Sequence, residues 1–286
     1  MSNTPFLKMH GLGNDFVVMD ARGNPLSFSD AEIRAVASRR TGIGCDQLIL
    51  IEPSQTSDVF MRTFNADGTE VEICGNATRC VASLLAAEGS NGELAIDTQA
   101  GELRAWVSSN GQVSVDIGTP HLGWQEIPLA REMDTLHLDF ELQSPEGAVL
   151  SDPAAVNVGN PHAIFFVDAA DIAAINLEKV GPAVEHDALF PERVNVSLAA
   201  LSDIDTVRLR VWERGTGITA ACATAACATT IACHRRGLTG RTVAVDLNGG
   251  RLSIEWCDND HLIMTGPVAT SFFGKVNPKR LALAEA

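Results

Sequence analysis

Two cysteines in this 286-residue chain stand where they could move a proton. Cys74 opens CGNATRCVASLLAAEG and Cys222 opens CATAACATTIACHRRG, and both segments read as helices beginning at or just after the cysteine. Val81, Leu84 and Leu85 form an apolar stripe on the first, and Gly89 and Gly237 are the expected stops. A helix start presents backbone N–H groups with no intrahelical partner, so it lowers the pKa of a neighbouring thiol and also binds a carboxylate. Two such starts around one small acid would give a thiolate and a thiol on opposite faces of a Cα–H bond. Removal of the proton by one and redelivery by the other inverts a stereocentre, while the held carboxylate stabilises the enolate-like charge between the steps.

The plain alternative for a helix-start cysteine is packing, since cysteine behaves as a small core residue. The seven cysteines, at 45, 74, 80, 222, 227, 233 and 257, contain no C-x-x-C pair, so no structural metal site is expected. An odd count without a signal peptide points to free thiols in a reducing, cytoplasmic compartment. At about 100° per residue, Cys80 and Cys227 are turned away from Cys74 and Cys222, and Cys233 lies deeper. Those three, with Cys45 and Cys257, are expected in the core.

The elements that must carry the two cysteines come in two similar sets. In the first half VVMD, QLILIE and VFMRTF read as strands, and Ser29 with Glu32 has capping-box spacing for a helix that Gly42 should stop. ELAIDT, ELRAWVS and QVSVDIG follow as strands. In the second half AVNVGNPHAIFFVD and TVRLRVWERG lead to the helix at Cys222, and TVAVDLN, RLSIEW and LIMTG follow it. The two cysteines are 148 positions apart, close to half the chain, which suggests an internal duplication and a pseudo-twofold axis. The crossover is placed near Pro120, ahead of a looser stretch to Pro153.

Composition narrows the function classes. A net charge of −15, with no cluster of Lys and Arg, argues against a nucleic-acid surface. With 45% apolar residues and no apolar run of 18 residues, neither disorder nor a membrane span is expected. Tyrosine is absent, which removes it as a catalytic acid.

The segments MHGLGNDFVVMD, TGIGCDQLILIEP, FNADGTEVEICGNATRC, GNPHAIFFVD and VWERGTGITAACATAACA, in this order along nearly the whole chain, resemble the diaminopimelate epimerase family. The resemblance implies a cofactor-independent isomerase interconverting LL- and meso-2,6-diaminopimelate, in the formation of lysine and peptidoglycan precursors. It implies an α+β fold of two pseudo-twofold-related domains, each a mostly antiparallel β-sheet or barrel wrapped around a central helix, with the site between them. We expect residues 1–120 plus 268–286 in one domain and 121–267 in the other. Similar enzymes imply a homodimer; the partner implied is the small-molecule substrate alone.

By position, the resemblance makes Cys74 and Cys222 the acid–base pair, with the reacting carboxylate on Gly75-Asn76 and Ala223-Thr224. Asn14, Asn65, Asn160, Asn195 and Arg214 match positions that hold the substrate, Gln47 another site position, and His162 and Glu213 polar residues beside the reacting centre. A second zwitterion needs a carboxylate clamp and amine acceptors, which the Arg214 fork and the asparagine amides can supply. Taken singly, Asn14 and Asn160 are ordinary turn residues, Glu213-Arg214 an exposed ion pair, and His162 a satisfied loop or core histidine.

The family's second motif usually has Glu and two glycines where this chain has Ile218, Ala223 and Ala225, and Ala77 replaces a frequent glycine in the first. Alanine costs nothing there if the backbone is helical and is strained if φ is positive.

Competing readings remain distinct. A proline or hydroxyproline racemase would need two cysteines but not Asn65, Asn195 and Arg214. None of Lys8, Lys179, Lys275 and Lys279 lies in a phosphate-binding context suited to pyridoxal phosphate. A cysteine hydrolase using His162, or a thiol redox sensor, leaves one cysteine or the asparagines unexplained.

Overall fold

The computed structural model describes residues 3–285 apart from positions 91 and 146. The fold is α+β, in two compact units: Met1–Val115 with Gly266–Ala286, and Asp116–Thr265. The helices among the described residues are α1 (Asp30–Ala37), α2 (Gly75–Ala87), α3 (Leu177–Glu185), α4 (Ala223–Arg235) and α5 (Pro278–Glu285).

In the first unit, strand Thr4–Gly11 pairs antiparallel with Asn14–Asp20 on one side and Ala269–Val276 on the other. Gln47–Glu52 joins Asn14–Asp20 in parallel, then Val59–Asn65 turns back antiparallel. Glu93–Thr98 adds in parallel and closes a hairpin with Gly101–Val107. α2 packs against Thr4–Gly11, Glu93–Thr98 and Gly101–Val107 and is buried from Asn76 to Ala82. α1 places Ile33, Val36 and Ala37 in a core with Phe6, Val17, Met19, Leu48 and Leu50.

The second unit repeats the plan. Ala154–Asn157 pairs antiparallel with Pro161–Phe166, which runs parallel to Asn195–Asp203; Thr206–Glu213 returns antiparallel. Thr242–Leu247 adds in parallel and leads antiparallel to Gly250–Trp256 and Leu262–Gly266. α4 touches five of these strands, and every residue from Ala225 to Cys233 is buried. A helix enclosed on all sides needs short side chains to let backbones approach, which explains its run of Ala, Cys and Thr.

The repeat extends to register. Phe64 faces Glu70 in the first unit and Trp212 faces Ile218 in the second, the same pairing after a shift of 148. From the strand after α4 the shift becomes 149, as Val59 opposite Ile96 corresponds to Val207 opposite Val245. Both central helices have 13 residues and end before a glycine of positive φ, Gly89 (103°) and Gly237 (68°), as their sequences predict.

Three expectations need correction. α1 ends at Ala37, not at Gly42, because the returning chain donates from Ile43 and Gly44 to Val36 O and from Cys45 to Ala37 O, satisfying the last carbonyls early. The capping box at Ser29 and Glu32 is present. α3 has no counterpart in the sequence reading: its Gly181-Pro182 pair looks like a turn, yet Leu177, Val180 and Val184 bury against Phe165, Phe190 and Leu198. Cys257 is not a core residue; it sits half-buried in the turn after Gly250–Trp256, whereas Cys45, Cys80, Cys227 and Cys233 are buried.

Candidate active site

Each central helix starts directly after a cysteine in extended conformation, Cys74 at φ −145°, ψ 102° and Cys222 at φ −125°, ψ 112°. Neither cysteine side chain makes a capping hydrogen bond to its helix. Ala77, Ala223 and Ala225 lie within these helices and none has positive φ, so the alanines strain nothing. Ile218 is 42% exposed on a two-residue strand paired with Trp212.

In the first unit the Cys74 thiol donates to Asn14 Oδ1 at 4.0 Å, and Asn76 Nδ2 donates to the same oxygen at 3.0 Å. Asn14 begins its strand beside Thr4–Gly11, and its Nδ2 donates to Asp46 Oδ2 at 2.9 Å. Gln47 and Asn65 face each other across their strand pair, Gln47 Nε2 donating to Asn65 Oδ1 at 3.1 Å. Gly75 is the first residue of α2.

In the second unit Cys222 Sγ lies 3.4 Å from Thr224 Oγ1, and Ala223 and Thr224 open α4. Glu213, at the end of its strand, accepts a hydrogen bond from the Thr219 hydroxyl. Asn195, only 3% exposed, donates to Pro161 O at 2.9 Å and accepts from the Arg214 N–H at 2.9 Å. Its register neighbour His162 is wholly buried and meets Asn160 Oδ1 through Nε2 at 2.7 Å. Arg214 is exposed, with its guanidinium donating to Glu192 O.

The duplication aligns these residues in pairs: Cys74 with Cys222, Asn76 with Thr224, Gln47 with Asn195 and Asn65 with Glu213. Sheet register pairs Phe16 with Gln47 and His162 with Asn195, so Asn14 and Asn160, each two residues earlier, also correspond. The ionisable members, Glu213 and His162, belong to the second unit, where the first has an amide and a phenyl ring.

Electrostatics follow from that asymmetry. The sequence leads one to expect a lowered thiol pKa at a helix start, but Cys222 moves the other way: burial first, and then the Glu213 carboxylate, raise it well above the ordinary range. The Cys222 thiol is therefore protonated in this state. Burial, and then the positive charge of Arg214, push His162 down to about 3, so its ring is neutral.

Three of the predicted residues carry buried polar atoms with no protein partner: Gln47 Oε1, Asn76 Oδ1 and His162 Nδ1. Unsatisfied buried groups are uncommon; in the first unit Asn76 Oδ1, within the first turn of α2, and Gln47 Oε1 are open to a polar ligand, and in the second His162 Nδ1 is. Among the described residues no group of three His, Cys, Asp or Glu side chains is arranged to hold a metal ion. No described helix is long and apolar enough to cross a membrane. Sequence reasoning missed Asp46 and Glu185. Asp46 lies inside the quoted GCDQ segment without a role, and buried Glu185 receives Trp212 Nε1 at 2.7 Å and the Gly215 N–H at 3.0 Å, bracing the turn that carries Arg214.

Comparison with known proteins adds an independent line. The family model described as diaminopimelate epimerase matches residues 6–123 and again 154–271, an offset of 148 that equals the spacing of the two cysteines. A diaminopimelate epimerase of Erythrobacter litoralis is 56% identical over 271 residues, covering 94% of this chain and 96% of its own. One from Rhodospirillum centenum is 51% identical, covering 95% and 92%. Among solved structures, a PhzF-family phenazine biosynthesis protein of Bacillus anthracis superposes with a TM-score of 0.68 at 16% identity, over 97% of this chain and 100% of that one. A hydroxyproline epimerase from Agrobacterium vitis superposes with a TM-score of 0.63 at 15% identity, over 96% and 92%. At such identities these structures speak to the fold alone.

Proposed function

The chain belongs to the diaminopimelate epimerase family, and on that premise we propose that it interconverts LL- and meso-2,6-diaminopimelate, with Cys74 and Cys222 as the acid–base pair. It is an isomerase of lysine and peptidoglycan precursor biosynthesis. A thiolate takes the Cα proton, leaving the electron pair delocalised into the carboxylate, and a thiol returns a proton to the opposite face. Charge and proton count balance, with the two sulfurs exchanging roles, so this reading invokes no cofactor. Gly75-Asn76 and Ala223-Thr224 hold the reacting carboxylate on helix-start N–H groups. Asn14, Gln47, Asn65, Asn160, Asn195 and Arg214 bind the remainder of the substrate, while His162 and Glu213 set the polarity beside Cys222.

The observation that carries this reading is the pair of matched, uncapped helix starts, each preceded by a cysteine. Incubation with LL-diaminopimelate in D2O tests it: inversion should proceed with deuterium entering Cα, and L-proline should remain unlabelled. Exchange of proline without inversion of diaminopimelate, or turnover of neither, overturns the assignment. We further place the enzyme in the cytoplasm as a homodimer. Light scattering should return twice the 30.4 kDa chain mass; the single mass would exclude the dimer.

A further inference from the structure

We propose that Asp46 is a positioning residue, fixing the Asn14 carboxamide with its oxygen toward Cys74 and Asn76 and its NH2 group away from them. The inference rests on the reading above, in which Asn14 belongs to the substrate site.

An asparagine side chain offers an acceptor at one end and a donor at the other, and the surroundings decide which end faces a ligand. Here Nδ2 donates to Asp46 Oδ2 at 2.9 Å, while Oδ1 accepts from Asn76 Nδ2 at 3.0 Å and from the Cys74 thiol at 4.0 Å. Turning the amide over would set its oxygen against a carboxylate oxygen and its NH2 against the Asn76 NH2. Two acceptors and then two donors would face each other, each conflict forfeiting a hydrogen bond.

Asp46 is itself held. Its Oδ2 also accepts from the Asp15 N–H at 3.0 Å, and its Oδ1 accepts from Arg39 at 2.6 Å. Arg39 reaches both carboxylate oxygens of Asp15, at 3.0 and 2.8 Å, and buried Lys8 bridges Asp15 and Gly44 O. Two cations thus brace the carboxylates that aim a neutral amide. The consequence for recognition is directional: a substrate group that meets Asn14 at Oδ1 must be a hydrogen-bond donor such as an ammonium, because a carboxylate would be repelled there.

The test is a double-mutant cycle of Asp46→Ala and Asn14→Ala, read by kcat/KM for LL-diaminopimelate and by the pH profile of iodoacetamide alkylation at Cys74, located by mass spectrometry. Asp46→Ala should lower kcat/KM about tenfold or more, the loss of one charge-assisted hydrogen bond. Asp46→Asn should recover part of that loss, since its carbonyl can still accept from Nδ2. The alkylation midpoint should fall in Asp46→Ala, because a freed amide can turn its NH2 to the sulfur and stabilise the thiolate. In the Asn14→Ala background, removing Asp46 should change neither readout. Full and independent losses in the double variant, or wild-type behaviour of Asp46→Ala, would overturn the proposal. If Asp46→Ala does not fold by circular dichroism, Asp46→Asn takes its place in the cycle, with a smaller loss that must likewise vanish without Asn14. A wild-type protein inactive on diaminopimelate would refute the functional reading, and the alkylation arm would still decide the role of Asp46.

Discussion

At the scale of single residues, the two cysteines look alike in sequence but have unlike surroundings. Both stand one position before a helix, yet Cys222 has a carboxylate neighbour in Glu213 where Cys74 has the amide of Asn14. Burial and that negative charge keep Cys222 as a thiol, which suits it to give a proton in the state described, and a proton donor requires a partner able to take one. Replacing either Cys74 or Cys222 by Ala should therefore lower epimerisation by about a thousandfold or more, the usual weight of a proton-transfer group, while circular dichroism stays unchanged. Wild-type turnover by either variant would end the two-base assignment. The candidate residues were legible one by one because each lies in or next to a recognisable segment. The protonation of Cys222 was not, since the helix start and the enclosing core act on it in opposite directions and only packing decides which prevails.

At the scale of elements, the strands and central helices follow from alternation, stop glycines and caps, and α3 does not. Its Gly181 and Pro182 disguise a helix whose apolar side completes the second unit's core. Gly181 is required by close approach: a Cβ there would stand 2.5 Å from the Trp212 ring. Trp212 immediately precedes Glu213 and Arg214, and its indole N–H is tied to Glu185 at the end of α3. Gly181→Ala should thus push α3 off this strand, destabilising the protein by about 1–3 kcal/mol and lowering kcat/KM through displaced Glu213 and Arg214. Urea unfolding and steady-state kinetics check both effects; unchanged stability would show that the contact yields without cost. No local rule reveals this element, because its reason for being helical lies in residues far along the chain.

At the scale of the whole molecule, stability is tied to pH through His162. Its folded-state pKa is about 3 against an ordinary 6.5, so the unfolded chain binds a proton that the native protein refuses. Between those values the stability contributed by the neutral, buried ring is lost as pH falls, and it is fully present above the higher one. His162→Gln, which can still donate to Asn160, should flatten this part of the profile of unfolding free energy against pH. An unchanged slope would place the acid sensitivity in other groups. The duplicated plan and the two helix-start cysteines were legible in the sequence because periodicity, caps and the 148-residue spacing are local or additive signals, and the α+β class followed from the family segments. Tertiary structure alone decided which amide end Asn14 presents, that Asp46 bonds to Asn14 and Glu185 to Trp212 and Gly215, and that Cys222 holds its proton. Those properties arise from desolvation and from hydrogen bonds between residues distant in the chain, which depend on three-dimensional proximity rather than on order.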